Sequence, residues 1–226
     1  SQEHPGVMLV ALNREDPARH DVYRVHLRSG EVSLDTQNPG NVADWCADPQ
    51  LNVRAALAMT PDGGAELRLR DPGGEWKTLR TWGSDDEGAL DHFSRDGRRL
   101  FYHCSAGANA LRLLELDTRS GKETALAEDP AYDAGSLLVH PTTLEVQAVS
   151  FYRQQRDWHV LDEAFQPSLE ALNDTWAGEL TVTSRDLADE WWIAAFANDA
   201  GPTDYFLFHR PNGEARFLFS SQPELG

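Results

Sequence analysis

The sequence predicts an all-β chain assembled from repeats, and three observations carry that expectation. Apolar side chains alternate with others over short runs, as in Tyr23, Val25 and Leu27 or Leu67 and Leu69. That is the period of a sheet with one buried face. Gly and Pro, 17 and 12 of 226 residues, recur too often for long helices. Four segments of similar layout begin near Val42, Gly88, Gly135 and Gly178, a repeat of about 43 to 47 residues. Four antiparallel strands per unit at this period is the pattern of β-propeller blades. The fold class expected is therefore a partial β-propeller, about four four-stranded antiparallel blades plus part of another.

The elements follow in order. Residues 7–12, 21–27 and 31–36 supply three strands of a first unit, whose innermost strand is missing. Each later unit opens with a run, a polar turn and a second run, as in VADWCADPQLNVRAALAM, GALDHFSRDGRRLFYHCS, GSLLVHPTTLEVQAVSF and GELTVTSRDLADEWWIAAF. That layout reads as a hairpin. A third run follows in each: AELRLRD, ALRLLELD, DWHVLD and TDYFLFHR. A fourth follows in three of them: WKTLRTW, KETALAE and EARFLF. Where the third unit should have its fourth strand stands PSLEALN, 167–173, read as a short helix with Ser168 as N-cap and Glu170 in its first turn. Blades are expected at 7–36, 42–82, 88–127, 134–173 and 178–219, within one partial propeller over 1–219. Arg95 and Asp96 of the SRDG turn read as turn chemistry between the innermost strand and the next.

A chain of 226 residues has ample material for a core. Its formal charge of −17 would repel phosphate backbones, so no nucleic-acid partner is expected. No apolar run is long enough to span a membrane, and 1–6 carry no signal pattern. Cys46 and Cys104 make neither a disulfide framework nor a CxxC pair, and are read as free buried thiols in a reducing, cytoplasmic compartment. The chain begins with Ser1 rather than Met, as expected of a processed or cut polypeptide or equally of a tag scar.

With these strands placed, residues 6–71 resemble the propeller of bacterial serine peptidases of the prolyl oligopeptidase family, in its acylaminoacyl-peptidase-like branch. LNREDPARHDVYRVHLRSGE, NPGNVADWCADPQLNVRAA and TPDGGAELRLRD carry the resemblance. It continues through FSRDGRRLFY, LVHPTTLEVQAVSF and ARFLFSSQPEL, and so covers essentially the whole chain. In that family the propeller precedes an α/β-hydrolase domain. The resemblance implies that 220–226 begin a linker toward such a domain, and that further blades precede Ser1.

The chemistry of a serine hydrolase needs a G-x-S-x-G elbow, and the sequence holds none. Ser136 follows a glycine but precedes Leu-Leu, and Ser105 lies in a hairpin loop. The eight histidines, His4, His20, His26, His92, His103, His140, His159 and His209, form no HxH or HExxH pair. His103 and Cys104, adjacent on a strand, point to opposite faces. Asp85, Asp86 and Glu87 lack the spacing of a calcium loop and read as solvated. Glu170 does not match the motif that captures a substrate amino terminus in dipeptidyl-peptidase relatives. No catalytic, cofactor-binding or metal residue is assigned, and no cofactor is expected.

The function expected is a non-catalytic, substrate-gating propeller fragment of a serine peptidase acting on short peptides or acyl- and aminoacyl-peptides. Its partners are the α/β-hydrolase domain of the same parent and peptide substrates. Asp44, Asp91, His92, Ser136 and Thr181 on innermost strands are the candidates to line its channel. The alternative is a stand-alone interaction scaffold with no hydrolase. Too few blades to close a ring would leave apolar faces open, so self-association through those edges is expected.

Overall fold

The computed structural model describes residues 3–199, 201–222 and 224. Of the expected linker, 223, 225 and 226 lie outside the described residues. The chain forms five antiparallel sheets, each built from consecutive strands. It divides into two compact units, Ser1–Ala131 and Tyr132–Gly226.

The first unit holds three sheets. Strands β1 (Val7–Leu12), β2 (Asp21–His26) and β3 (Val32–Thr36) form the first. Strands β4 (Val42–Ala47), β5 (Val53–Met59), β6 (Ala65–Arg70) and β7 (Trp76–Trp82) form the second. Strands β8 (Gly88–Phe93), β9 (Arg99–Cys104), β10 (Arg112–Asp117) and β11 (Glu123–Ala127) form the third. The period-2 reading is clear in β6, where Ala65, Leu67 and Leu69 are buried and Glu66, Arg68 and Arg70 are not. Strand β9 is covered on both faces, so it buries five of its six residues and reads as a continuous apolar run. Leu67, Trp82, Phe93, Leu100, Tyr102 and Leu116 belong to one core between the second and third sheets. Arg80 on β7 pairs with Glu123 on β11, which also accepts a hydrogen bond from the Tyr102 hydroxyl.

The second unit holds two sheets. Strands β12 (Ala134–Val139), β13 (Val146–Tyr152) and β14 (Arg156–Val160) form the three-stranded one. Strands β15 (Glu179–Arg185), β16 (Trp191–Ala197), β17 (Asp204–His209) and β18 (Glu214–Ser220) form the four-stranded one. Helix α1 (Gln166–Asn173) follows β14 where a fourth strand would stand. Its Leu169 and Leu172 join Phe165, Trp192, Phe196 and Phe208 in one core.

The helix start differs from the sequence expectation. Asp162, not Ser168, caps the entry: its carboxylate accepts the Ala164 N–H ahead of a 3-10 turn at Glu163–Phe165. Ser168 lies inside α1, buried, and accepts a hydrogen bond from Arg210 Nε at 3.1 Å. Glu170 is not in the first turn and instead accepts from Gln166 Nε2 at 2.7 Å. Leu27 also departs from its expected place. It lies past the end of β2 and is 55 % exposed, because the sheet face carrying Tyr23 and Val25 is only partly covered.

The turn that opens each hairpin recurs with a common bond pattern. Asp48, Ser94, His140 and Asp186 each donate the backbone N–H across the turn, to the carbonyls of Asn52, Arg99, Glu145 and Trp191. Their side chains accept from backbone N–H groups of the same turn: Asp48 from Asn52, Ser94 from Arg99, His140 from Thr142 and Asp186 from Glu190. Near the end of each turn stands one left-handed residue, Leu51, Gly97, Leu144 or Asp189, with φ between 58° and 67°. Glycine alone occupies that conformation without a Cβ penalty. In the first unit these turns also tie neighbouring sheets. Arg24 of β2 donates to the Leu51 carbonyl at 2.7 Å, and Arg54 of β5 donates to the Gly97 carbonyl at 2.7 Å.

Candidate functional site

The innermost strands β4, β8, β12 and β15 are each the first, edge strand of their sheet, and each carries a β-bulge. A bulge breaks alternation and re-aims a side chain. On β8 the register passes from Leu90↔Tyr102 directly to His92↔Phe101, which leaves Asp91 without a partner in the ladder. The Asp91 carboxylate turns to His103 on β9, with Oδ2 at 2.7 Å from Nδ1. His92, beside it, packs on the Phe101 ring with centroids 4.9 Å apart.

Asp44 on β4 lies in the same neighbourhood. Cys46, two residues on, has its Sγ 3.8 Å from the Asp91 carbonyl oxygen. Burial, and then the carboxylates of Asp44, Asp91 and Asp48, push the Cys46 thiol up to about 12. Strand β4 packs beside β8, and the carboxylates of Asp44 and Asp91 both bear on the Cys46 thiol. In the second unit, Ser136 is exposed at the bulge of β12. Thr181 is half-buried, and its hydroxyl accepts from Arg156 Nη1 at 2.8 Å, so it is committed to joining two sheets.

The Asp91–His103 pair resembles two members of a hydrolytic triad, but the third role is not filled. His103 Nε2 is buried and has no hydrogen-bond partner among the described residues. Cys104, its neighbour, packs into the core on the opposite face. Cys46 would be protonated at neutral pH and is a poor nucleophile. Both cysteines are free and buried. Among the described residues no group of three or more His, Cys, Asp and Glu is placed to hold a metal ion. Among those residues too, no helix is long and apolar enough to cross a membrane.

A second polar cluster, in the second unit, is structural. Asp189 is 3 % exposed, and its carboxylate meets Arg185 at 2.7 Å, Arg210, and Trp192 Nε1 at 2.9 Å. Arg185 lies over the Trp192 ring at 4.5 Å and donates to the Val139 carbonyl and to Gln147. Burial pulls the Arg185 guanidinium below its usual range, and Asp189 opposes that. Neither the Asp91–His103 pair nor the Asp189 cluster was read from sequence. The bulge hides the first from any period-2 count. The second had one signal, the density of Arg and Asp in SRDLADE.

Small antiparallel sheets in series, four of the five beginning with a bulged edge strand, define a β-propeller segment. The comparisons with known proteins carry this further. No protein-family model matches the chain. It is 35% identical over 230 residues to dipeptidyl aminopeptidase BIII of Pseudoxanthomonas mexicana, covering 100% of this chain and 33% of that protein. It is 26% identical to dipeptidyl peptidase family member 6 of Caenorhabditis elegans, covering 96% of this chain and 31% of that protein. A solved prolyl endopeptidase superposes with a TM-score of 0.60 at 10% identity, over 95% of this chain and 33% of that one. The chain is thus a β-propeller segment similar in sequence to part of a dipeptidyl aminopeptidase, and it shares the fold of a prolyl endopeptidase. It spans about a third of the length of the relatives it matches.

Proposed function

We propose that this chain is the non-catalytic, substrate-gating propeller of a serine peptidase, paired with an α/β-hydrolase domain of the same cytoplasmic polypeptide. The observation that carries the reading is the inner edge of the first unit. There a bulge and a buried histidine hold Asp91, on a strand packed beside the one that carries Asp44, in a chain similar along its full length to part of a dipeptidyl aminopeptidase. Carboxylates on a narrow inner rim would concentrate peptides with a free amino terminus or basic side chains. A propeller over the nucleophile would exclude folded proteins and keep bulk water from the site, which strengthens the electrostatics inside.

The test is made in the intact peptidase. Asp44→Asn and Asp91→Asn together should lower kcat/KM for basic peptides by about tenfold relative to acidic ones, the scale of electrostatic steering. An unchanged ratio removes the gating role. A fluorophosphonate probe should label a serine outside residues 1–226 of the intact gene product. If nothing labels, the chain is an interaction scaffold without a hydrolase.

A further inference from the structure

One cleft in the first unit has the opposite charge to the rest of the molecule. It lies between the second and third sheets, where the β6–β7, β8–β9 and β10–β11 turns meet the start of β5, and encloses about 600 Å³. Five cations line it, Arg54, Arg70, Lys77, Arg98 and Arg119, against two carboxylates, Asp71 and Asp96. Its lining side chains therefore carry a formal +3, reduced to +2 by Asp48 behind Arg54, in a chain whose formal charge is −17. A second hollow of about 500 Å³ continues it and shares Arg54, Arg70, Asp71 and Pro72.

The two lining carboxylates pair with Lys77 and Arg98 and leave Arg70 and Arg119 unneutralised. Asp71 is taken by Lys77 Nζ at 2.9 Å. Asp96 accepts from the Ser94 hydroxyl and the Arg98 backbone N–H, and stands 3.7 Å from Arg98 Nε. Arg54 is held by the Gly97 carbonyl at 2.7 Å and by the Phe93 ring at 4.9 Å, with Asp48 behind it at 3.7 Å. Arg70 is steadied through Nε by the Gly74 carbonyl at 3.1 Å. Neither Arg70 nor Arg119 makes an ion pair among the described residues. The wall between these groups is apolar, formed by Leu69, Pro72 and Leu79. Leu79 is 38 % exposed there, on an outer strand that otherwise shows polar side chains to solvent.

Arg, with its planar fork, favours paired contacts to phosphate and carboxylate oxygens. A volume near 600 Å³ falls in the range of small-molecule sites, about 300–1,000 Å³. We propose that this cleft binds a small organic anion with two or more phosphate or carboxylate groups on an apolar or aromatic body. The oxyanions meet Arg70 and Arg119, Arg54 and Arg98 flank them, and the body lies on Leu79 and Pro72. This site is independent of the inner-rim reading above and of any hydrolase.

Isothermal titration of the chain at physiological ionic strength tests it with three probes: ADP, inorganic pyrophosphate and citrate. Saturable one-to-one binding of ADP is expected, with pyrophosphate weaker by about tenfold because it lacks the body. Citrate separates the two oxyanion sources: binding tighter or weaker than pyrophosphate tells which oxygen geometry the forks match. Arg70→Gln with Arg119→Gln should weaken every probe by about tenfold or more. Leu79→Ser should weaken ADP alone. Both variants alter exposed or half-exposed positions, and unchanged thermal melting establishes that they fold. Failure of all three probes to saturate overturns the proposal, as does binding that the double arginine variant leaves intact.

Discussion

Gly97 shows how one atom can matter to two sheets. A Cβ added there would sit 2.6 Å from Arg54 Nη1, and the residue has φ +67°. Gly97→Ala therefore combines left-handed strain of about 1–2 kcal/mol with loss of a charge-assisted bond of about 1.5–3 kcal/mol. A fall of this order in urea-unfolding free energy is expected, and Arg54→Gln alone, which loses only that bond, should reproduce the second part. Asp189 fills the corresponding place in the last turn and turns its backbone strain to use. From that position its carboxylate reaches Arg185, Arg210 and Trp192 at once. Removing it strands two guanidinium groups, so Asp189→Ala should cost about 3–5 kcal/mol in the same measurement. The two thiols report on the same interior. Burial raises both, Cys46 to about 12. At pH 8 the thiolate fraction is therefore small, and iodoacetamide should modify neither until the chain unfolds. Rapid labelling of native protein would contradict the packing described.

At the scale of elements, sheets were legible in the sequence where period 2 and turn residues agreed. AELRLRD reads directly as β6 because every second side chain is buried. The repeated turns were legible too, since each opens with a residue that bonds its own backbone. What the turns conceal is their left-handed residue: three of the four carry Leu or Asp, and no glycine marks the spot. Asp91 was named as an inner-strand residue, but its bond to His103 depends on a register shift that no count of alternation contains. The helix was legible as an element but not at its start, because a 3-10 turn capped by Asp162 precedes it. The basic cleft was not legible at all, since its cations come from separated turns and strand ends between residues 54 and 119. Helix α1 closes the core of its unit in place of a strand. Leu172→Ala, at a fully buried position, should cost about 2–5 kcal/mol by cavity formation, and a shift under ~1 kcal/mol would mean that the helix is loosely docked.

For the whole molecule, the terminal sheets matter most. On the first sheet, Met8, Val32 and Leu34 share a face and are 43 %, 39 % and 54 % exposed. On the last, Tyr205 stacks on Phe219, and Trp191 on His209, on the face opposite the buried core. Apolar faces of this kind draw partners. Light scattering of the isolated chain should show mass rising with concentration, and a constant monomer mass would remove this expectation. The bulged inner strands bear on the same hazard from another side. A straight, unpaired strand edge is a template on which a foreign strand can add and fibrils can grow. Because β4, β8, β12 and β15 are each kinked by an extra residue, an incoming strand cannot zip along them in register. The kink that turns Asp91 toward its histidine also makes that rim a poor seed for amyloid.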